Sequence, residues 1–231
     1  MPGALAVELV HNFSLAHDDV EDGDHRRHHR PAVWSLWGIE HGVNVGDGLF
    51  ALAPLVMLEA CARDGRISAV ITAAAARTLS RACLELCEGQ FLDLEYGDAP
   101  STTLLEYVSM VERKTGALFG CAAELGALLG GADVECVRLF GHFGRALGQA
   151  YQMQDDLLGV WGDEGRTGKP AEDVRKRKRG LPVVLAWERA GAHFEELCRL
   201  YAGLDPMTDE EVRRRSRCSR SSTCATARCA S

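Results

Sequence analysis

Apolar side chains recur at helical spacing along most of the chain. Leu5, Leu9, Phe13 and Ala16 follow one another at i, i+4, i+8 and i+11, which is the spacing of one face of a helix. No stretch alternates apolar and polar positions beside a hairpin signal, so strands are not expected. The pattern therefore predicts an all-α protein with long helices. These helices are predicted over 4–20, 36–62, 67–92, 103–130, 133–160 and 181–202.

Clusters of Gly, Asp, Pro and Ser separate the predicted helices. Residues 21–34 are polar and include Gly23 and Pro31, so the first helix is expected to end or loosen there. The other breaks fall at 64–68, 97–102, 130–133 and 162–170, and the expected N-caps are Ser68, Ser101 and Asp133.

The composition of the 231 residues is that of an ordinary globular protein, with 46% hydrophobic and 26% charged residues. No run of 18 apolar residues occurs, so no membrane span is expected. The first residues lack a basic leader and a cleavage site, which predicts a cytoplasmic protein. The nine cysteines are scattered along the chain, as is typical of buried thiols rather than of a disulfide framework.

The charge is distributed unevenly along the chain. The formal net charge is −7, yet residues 212–231 carry six Arg and no acid, which leaves −13 for residues 1–211. A segment with this much negative charge is expected to bind nucleic acid poorly and to be able to hold divalent cations. We therefore predict one helical domain over 1–211. The basic Arg/Ser/Cys tail over 212–231 is either disordered or foreign to the fold, as a shifted reading frame would produce.

The first acidic motif, residues 17–22, closes the first predicted helix. Asp18 and Asp22 are four positions apart and Asp19 is three positions from Asp22, so the three carboxylates share one helix face. Close carboxylates repel one another unless a cation lies among them, and Mg²⁺ prefers such oxygen ligands. The motif therefore indicates either a metal site or a solvated acidic helix end.

The second acidic motif, residues 152–159, lies at the end of an apolar helix. Asp155 and Asp156 are adjacent there, and burying such a pair is costly unless it has a function such as metal binding. The following loop supplies Lys169, Asp173 and a basic run that alone is typical of a solvated loop. The glycine spacing of this loop excludes a Walker A phosphate loop.

Lys114 is one of only four lysines, against 22 arginines, and it lies in an apolar helix next to Thr115. Such a lysine either extends to the surface or directs its ammonium at a buried anion. Two acidic faces on two helices, with a few cations around them, fit a diphosphate held by Mg²⁺. Helical bundles commonly build such sites from facing helices.

Three motifs in this order resemble the trans-isoprenyl diphosphate synthases, also called polyprenyl synthetases. Segment 8–24 resembles their first aspartate-rich helix, 114–119 their Lys-Thr helix, and 151–182 their second aspartate-rich region. The resemblance implies an isoprenoid-synthase-type helical bundle with a central cavity, which binds Mg²⁺ and forms a homodimer. It also implies condensation of isopentenyl diphosphate with an allylic diphosphate, in which an allylic cation forms and a proton is finally lost.

The resemblance also implies roles by position. The metal ligands would be Asp18, Asp22 and Asp155, with Asp19, Asp156 and Asp173 binding metal directly or through water. The allylic diphosphate would be held by Arg27, Lys114, Lys169 and Lys178, and the reacting carbons lined by Thr115 and Gln152. Isopentenyl diphosphate would be faced by His11 and His28. Product length would be set by Phe13 and Ser14, which resemble the residues of geranylgeranyl-type synthases.

The chain departs from the family in four places. The family has about three earlier helices with a Gly-Lys-x-Arg motif for isopentenyl diphosphate, and no such motif occurs in this sequence. His28 stands where a second Arg is usual, Gly159 where many members have Asp, and the basic tail where helices continue. We therefore expect either an N-terminally truncated enzyme or an impaired fragment or non-catalytic partner that pairs with an intact synthase.

Two other functions are weighed against this one. A terpene cyclase has the same fold, but Lys114-Thr115 and the second Asp pair argue against it, because cyclases usually carry an Asn/Ser/Glu metal motif there. A zinc site built from His25, His28 and His29 competes with a solvated basic turn, which is the commoner arrangement.

Overall fold

The computed structural model describes residues 2–99, 101–162, 173, 176–191 and 194–201. Within these ranges the chain is helical apart from one short hairpin, so the all-α prediction is confirmed. In chain order the elements are α1 (Pro2–Glu21), β1 (Arg26–Arg27), β2 (Arg30–Pro31), α2 (Val33–Trp37), α3 (Ile39–Arg63), α4 (Ala69–Asp98), α5 (Leu104–Val111), a π-helix (Glu112–Gly116), α6 (Ala117–Leu129), α7 (Val134–Trp161), α8 (Leu181–Arg189) and α9 (Phe194–Tyr201).

Two predicted helices are each divided at a glycine. The segment predicted over 36–62 forms α2 and then α3, with Gly38 at a φ of 94° between them. The segment predicted over 181–202 stops after α8, where Gly191 has a φ of 48°. A residue with a positive φ cannot continue a right-handed helix, so the helices break at these glycines. The apolar periodicity continues across both breaks and therefore did not predict them.

The hairpin β1–β2 was not expected in the polar segment 21–34. Arg26 pairs with Pro31 and Arg27 with Arg30, and the two turn residues His28 and His29 have φ values of 47° and 65°. Positive φ at both central residues is the geometry of a tight two-residue hairpin turn. The usual Asn-Gly or Asp-Gly signal is missing here, so the sequence pattern did not reveal the turn.

Side-chain caps fix where several helices begin. The Ser68 hydroxyl accepts from the Ile71 amide at 3.3 Å, and the Asp133 carboxylate accepts from the Cys136 amide at 2.8 Å, as predicted. Thr103 caps α5 in place of the predicted Ser101. Its side chain accepts from the Glu106 amide while the Glu106 carboxylate accepts from the Thr103 amide, which forms a capping box.

The described chain divides into two compact units. The first comprises residues 1–86 and 116–146. Its core is formed by the apolar faces of α1, α3, the first part of α4 and α6. The largest side chains that are almost completely buried in it are Val10, Met57, Leu79 and Leu125.

The second unit comprises residues 87–115 and 147–231. Its described part has two apolar clusters. One contains Tyr107, Met110 and Val111 from α5 together with Val184 from α8. The other is formed by Val183, Ala186, Trp187, Ala190 and Tyr201.

Helix α3 exposes much of its apolar surface. It is long and apolar enough to cross a membrane by length and composition, although only 22% of its most apolar window is buried. Polar residues interrupt this helix, so a count of uninterrupted apolar residues did not reveal it. The most exposed of its large apolar side chains are Ile39, Phe50, Leu52 and Leu55.

Candidate functional site

The first acidic motif lies at the C-terminal end of α1, in the first unit. Asp22 donates its amide to the Asp18 carbonyl at 2.8 Å, which continues the helical hydrogen bonding past Glu21. Asp19 is buried, with 5% of its surface exposed, whereas the Asp18 side chain is 21% exposed. The helix thus presents neighbouring carboxylates in different environments, as expected for a group that holds an ion and is also anchored in the protein.

Arg27 neutralises this acidic pair. The hairpin directs its Nε to Asp19 Oδ1 at 2.7 Å and its Nη2 to Asp18 Oδ2 at 3.3 Å. Burial raises the pKa of Asp19, and the hydrogen bond and charge of Arg27 act in the opposite direction. The predicted diphosphate-binding arginine therefore lies directly on the predicted metal-binding carboxylates.

The predicted product-length residues lie one to two turns earlier on α1. Phe13 is 6% exposed, and its ring lies 5.2 Å from the rings of both His17 and Phe50. The Ser14 hydroxyl donates to the His11 carbonyl at 2.8 Å, and the His11 side chain is exposed. Phe13 is thus packed in an aromatic cluster and Ser14 is bound to its own helix.

His17 is a residue of this region that the sequence analysis did not assign. Its Nε2 lies 3.2 Å from the Val43 carbonyl and 3.5 Å from Asp47 Oδ1 on α3. A side chain at Gly46 would overlap the imidazole ring, so this glycine is required for the contact. His28, by contrast, is exposed in the hairpin turn.

The second acidic motif ends α7, in the second unit. Asp155 is exposed, but Asp156 is only 8% exposed and both of its carboxylate oxygens accept hydrogen bonds. Oδ2 accepts from the Tyr107 hydroxyl at 2.6 Å and from the Leu181 amide at 2.8 Å, and Oδ1 accepts from Gln152 Nε2 at 2.8 Å. Burial raises the pKa of Asp156, and these donors act against the rise.

Thr115 and Gln152, both predicted at the reacting carbons, are directly connected. The Thr115 hydroxyl donates to Gln152 Oε1 at 2.9 Å. The hydrogen bonds therefore run from Thr115 through Gln152 to Asp156. Tyr107 was not predicted as a site residue, because its only signal in the sequence is an apolar position in a helix, which says nothing about the acceptor of its hydroxyl.

Lys114 lies on the π-helix and forms an ion pair. Its Nζ is 2.5 Å from Asp93 Oδ2, a residue of α4 that the sequence analysis did not select. A side chain at Gly89 would overlap the backbone of Arg113 and Lys114, so the bare α4 backbone lets the π-helix approach closely. A π-helical turn is frequent at functional sites because it redirects the side chains that it carries.

Asp173 and Lys178 belong to the second unit as well, while Lys169 lies outside the described residues. A side chain at Gly159 would overlap the Asp173 carboxylate, so the glycine that departs from the family pattern makes room for this acid. Burial raises the pKa of Asp173 to about 6, the charge of Lys178 lowers it, and the charges of Asp156 and Asp155 add to the rise.

The donor chemistry of both acidic groups suits a hard divalent cation. Across the ranges that the structure describes, no three His, Cys, Asp or Glu side chains are grouped so that they could hold a metal ion by themselves. Mg²⁺ is commonly held by one or two carboxylates, with water and a substrate phosphate as the other ligands. The carboxylates of these two groups fit that mode of binding.

Solved structures of known proteins have the same fold. The chain superposes on a polyprenyl synthetase from Streptomyces coelicolor A3(2) with a TM-score of 0.87 and 41% identity, covering 96% of this chain and 66% of that one. A polyprenyl synthase from Caulobacter crescentus CB15, solved with calcium and isoprenyl diphosphate, gives a TM-score of 0.84 and 32% identity, covering 98% of this chain and 66% of that one.

Curated relatives agree with the structural matches. The chain is 43% identical over 214 residues to a geranylgeranyl diphosphate synthase of Mycobacterium tuberculosis, which covers 92% of this chain and 59% of that protein. It is also 42% identical over 193 residues to a (2E,6E)-farnesyl diphosphate synthase of Mycobacterium bovis, which covers 83% of this chain and 52% of that protein. The chain thus spans between half and three fifths of the length of these relatives.

The sequence profile of the polyprenyl synthetase family matches residues 2–217. This match includes both acidic motifs, the Lys114-Thr115 pair and the segment that carries Asp173 and Lys178. The fold, the ordered motifs and the relatives agree, and the chain belongs to the polyprenyl synthetase family.

Proposed function

We propose that this chain is a trans-prenyltransferase that condenses isopentenyl diphosphate with an allylic diphosphate, and that its product is of geranylgeranyl type. The observation that carries the proposal is the hydrogen-bonded group Thr115–Gln152–Asp156 beside Lys114. A protein that only paired with a synthase would have no need of a buried carboxylate linked to an amide and a hydroxyl next to a cationic side chain.

The proposed reaction has a simple electron balance. The C–O bond of the allylic diphosphate breaks and the diphosphate leaves with the electron pair. The double bond of isopentenyl diphosphate then forms the new C–C bond, and a proton leaves to the released diphosphate. Magnesium, when bound, supplies Lewis-acid stabilisation of the leaving diphosphate.

The residues of the chain divide these tasks. Asp18, Asp22 and Asp155 are proposed to hold the magnesium ions, and Asp19, Asp156 and Asp173 to assist directly or through water. Lys114 and Lys178 bind the diphosphate, because an ammonium is a strong partner of phosphate oxygens. Arg27 contributes to the same binding once it leaves the acidic pair. Thr115 and Gln152 line the reacting carbons, and His11 and His28 are proposed for isopentenyl diphosphate.

Product length is proposed to depend on Phe13 and Ser14. A buried aromatic side chain one turn before the acidic group can limit the length of a growing prenyl chain by its volume. The relatives include synthases of both farnesyl and geranylgeranyl diphosphate. The twenty-carbon product is therefore a proposal that product analysis tests directly.

A second copy of the chain is proposed to cover α3. Large apolar side chains along this helix are exposed, including Ile39, Phe50 and Leu55. Burial of such a surface is favourable at about 25 cal/mol for each Å². An intact synthase subunit could cover the same helix, and this is the alternative in which the chain is a partner. The cytoplasm suits both cases, since the two proposed substrates are water-soluble diphosphates.

The test is product analysis with purified chain, Mg²⁺, labelled isopentenyl diphosphate, and dimethylallyl, geranyl or farnesyl diphosphate in turn. We expect a labelled, elongated product that Asp18→Ala abolishes. Glu135→Ala, an exposed acid in the first turn of α7, is the control that leaves the product unchanged. Magnesium-dependent release of diphosphate without elongation would limit the function to the allylic half-reaction. If the chain shows neither elongation nor diphosphate release, the stand-alone enzyme is rejected in favour of the partner subunit.

A further inference from the structure

We propose that Tyr107 is a positioning residue for the reaction: through Asp156 it fixes the side chain of Gln152 and thereby the hydroxyl of Thr115. This inference rests on the proposed function, since it concerns the residues that line the reacting carbons. Tyr107 itself is 1% exposed, and its hydroxyl donates to Asp156 Oδ2 at 2.6 Å.

The carboxylate of Asp156 is held in one orientation. Two donors, the Tyr107 hydroxyl and the Leu181 amide, bind Oδ2, at 2.6 Å and 2.8 Å. They come from different elements, α5 and the start of α8, so rotation of the carboxylate would break both bonds. Oδ1 is consequently left in a fixed position, and it accepts from Gln152.

This fixed oxygen also decides which way the Gln152 amide points. Gln152 Nε2 donates to this oxygen at 2.8 Å, so the NH₂ end of the amide faces Asp156. The carbonyl end then faces Thr115 and accepts the proton of its hydroxyl. The Thr115 oxygen therefore keeps its lone pairs for the site, where the negative end of the hydroxyl dipole favours a developing carbocation.

Tyr107 is itself placed rigidly. It lies in the first turn of α5, where the capping box of Thr103 and Glu106 fixes the start of the helix. The Leu104 amide donates to the Glu188 carboxylate of α8 at 2.9 Å, which ties the two helices together. The ring belongs to an apolar cluster that includes Met110 and Val184. A tyrosine that is fixed in this way holds the Asp156 carboxylate in a defined position.

The test is Tyr107→Phe, which removes the hydroxyl and keeps the ring. We expect kcat for elongation to fall about tenfold, the equivalent of one lost hydrogen bond in the transition state, while KM for the allylic diphosphate changes by less than about twofold. Tyr96→Phe is the matched control, because Tyr96 packs against the same cluster and makes none of these bonds. It is expected to leave kcat unchanged.

A double variant separates positioning from general destabilisation. If Tyr107 acts through Gln152 and Thr115, then Tyr107→Phe adds no further loss in kcat to that of Thr115→Val. If the losses multiply, the two residues act independently and the positioning role is wrong. A fall in kcat that Tyr96→Phe reproduces would overturn it as well.

A further measurement needs no turnover, so it distinguishes failure of this inference from failure of the proposed function. The side-chain amide protons of Gln152 in ¹⁵N-labelled chain report the bond to Asp156. We expect Tyr107→Phe to shift this resonance pair and speed its exchange with water, and Tyr96→Phe to leave it in place. An unchanged Gln152 resonance in Tyr107→Phe would reject the inference even if the chain proves active.

Discussion

The two acidic groups are stabilised by opposite means. In the first unit, Asp18 and Asp19 face the guanidinium of Arg27, a cation carried by a short hairpin. In the second unit, Asp156 is surrounded by the neutral donors of Tyr107, Gln152 and the Leu181 backbone. A cation on a flexible stem can be exchanged for a metal ion or can move to a phosphate. Three neutral donors fixed in the fold cannot be exchanged in that way.

One chain thus holds one carboxylate group by exchangeable contacts and another by fixed ones. The ion pair leaves the oxygens of the first carboxylates able to change partner. The hydrogen bonds of the second group fix a side-chain geometry, and the proposed reaction requires this geometry to stay unchanged while charge develops.

The largest effect is expected from removing the acceptor of the second group. Asp156→Ala leaves the buried donors of Tyr107, Gln152 and Leu181 without a partner, so the free energy of unfolding should fall by about 4 kcal/mol. Asp19→Ala should cost only about 1 kcal/mol, because Arg27 can turn to Asp18 or to water. Urea unfolding measures both.

Asp155→Ala is the matched control for this pair. Its side chain is exposed, and the expected change is below about 0.5 kcal/mol. Equal losses for Asp156→Ala and Asp19→Ala would show that the neutral donors hold their carboxylate no more firmly than the ion pair does.

The pH dependence of stability gives the next largest effect. Burial raises the pKa of Asp173 to about 6 from its ordinary value of 3.8, so the folded chain binds this proton more tightly than the unfolded chain. The contribution of Asp173 to the free energy of unfolding therefore falls as the pH rises from about 4 to about 6. Above that range, the ionised carboxylate lowers the free energy of unfolding by about 3 kcal/mol. In metal-free buffer, Asp173→Asn should stabilise the chain by about that amount near pH 8 and by nothing near pH 4.

Asp64→Asn is the control with the opposite sign. The hydrogen bonds from Arg66 lower the pKa of Asp64 to about 2, so its contribution is present above about pH 4 and is lost as the pH falls towards 2. If the free energy of unfolding of Asp173→Asn changed with pH in the same direction as that of Asp64→Asn, the carboxylate of Asp173 would be held as an anion. The second group would then resemble the first.

The smallest effect is a difference in salt dependence. Arg27→Gln should cost about 1 kcal/mol in dilute buffer and clearly less at 1 M NaCl, because a partly exposed ion pair is screened. The stability loss of Tyr107→Phe should be the same in both buffers, since a neutral hydroxyl is the donor. Thermal unfolding at the two salt concentrations measures the stability loss of each variant. An equal salt dependence for both variants would show that the two acidic groups are not held by different means.

The sequence predicted the features that depend on neighbouring positions. Asp18 and Asp22 are one helical turn apart in the sequence, and the structure has Asp18 in the last turn of α1 and Asp22 directly after its last residue, Glu21. The helices themselves followed from the spacing of apolar residues. Such signals are contained within one element, so no knowledge of packing is needed to interpret them.

Partners that are distant in the sequence could not be predicted in this way. Tyr107 and Asp156 are 49 positions apart, and Asp93 and Lys114 are 21 apart. An apolar face shows that Tyr107 is buried, but it does not show which acceptor its hydroxyl meets. The hairpin was missed for a different reason, since His28 and His29 adopt a left-handed conformation that other residue types adopt far more readily.

The π-helix between α5 and α6 has a consequence for register. A wide turn accommodates one more residue than an α-helical turn, so the residues that follow it are one position out of step with a regular α-helix. The five residues of Glu112–Gly116 take the place of about four residues of regular helix. An alignment to an unbroken α-helix that leaves no gap at this turn would therefore pair residues that point about 100° apart around the helix axis, although every letter before the turn matched.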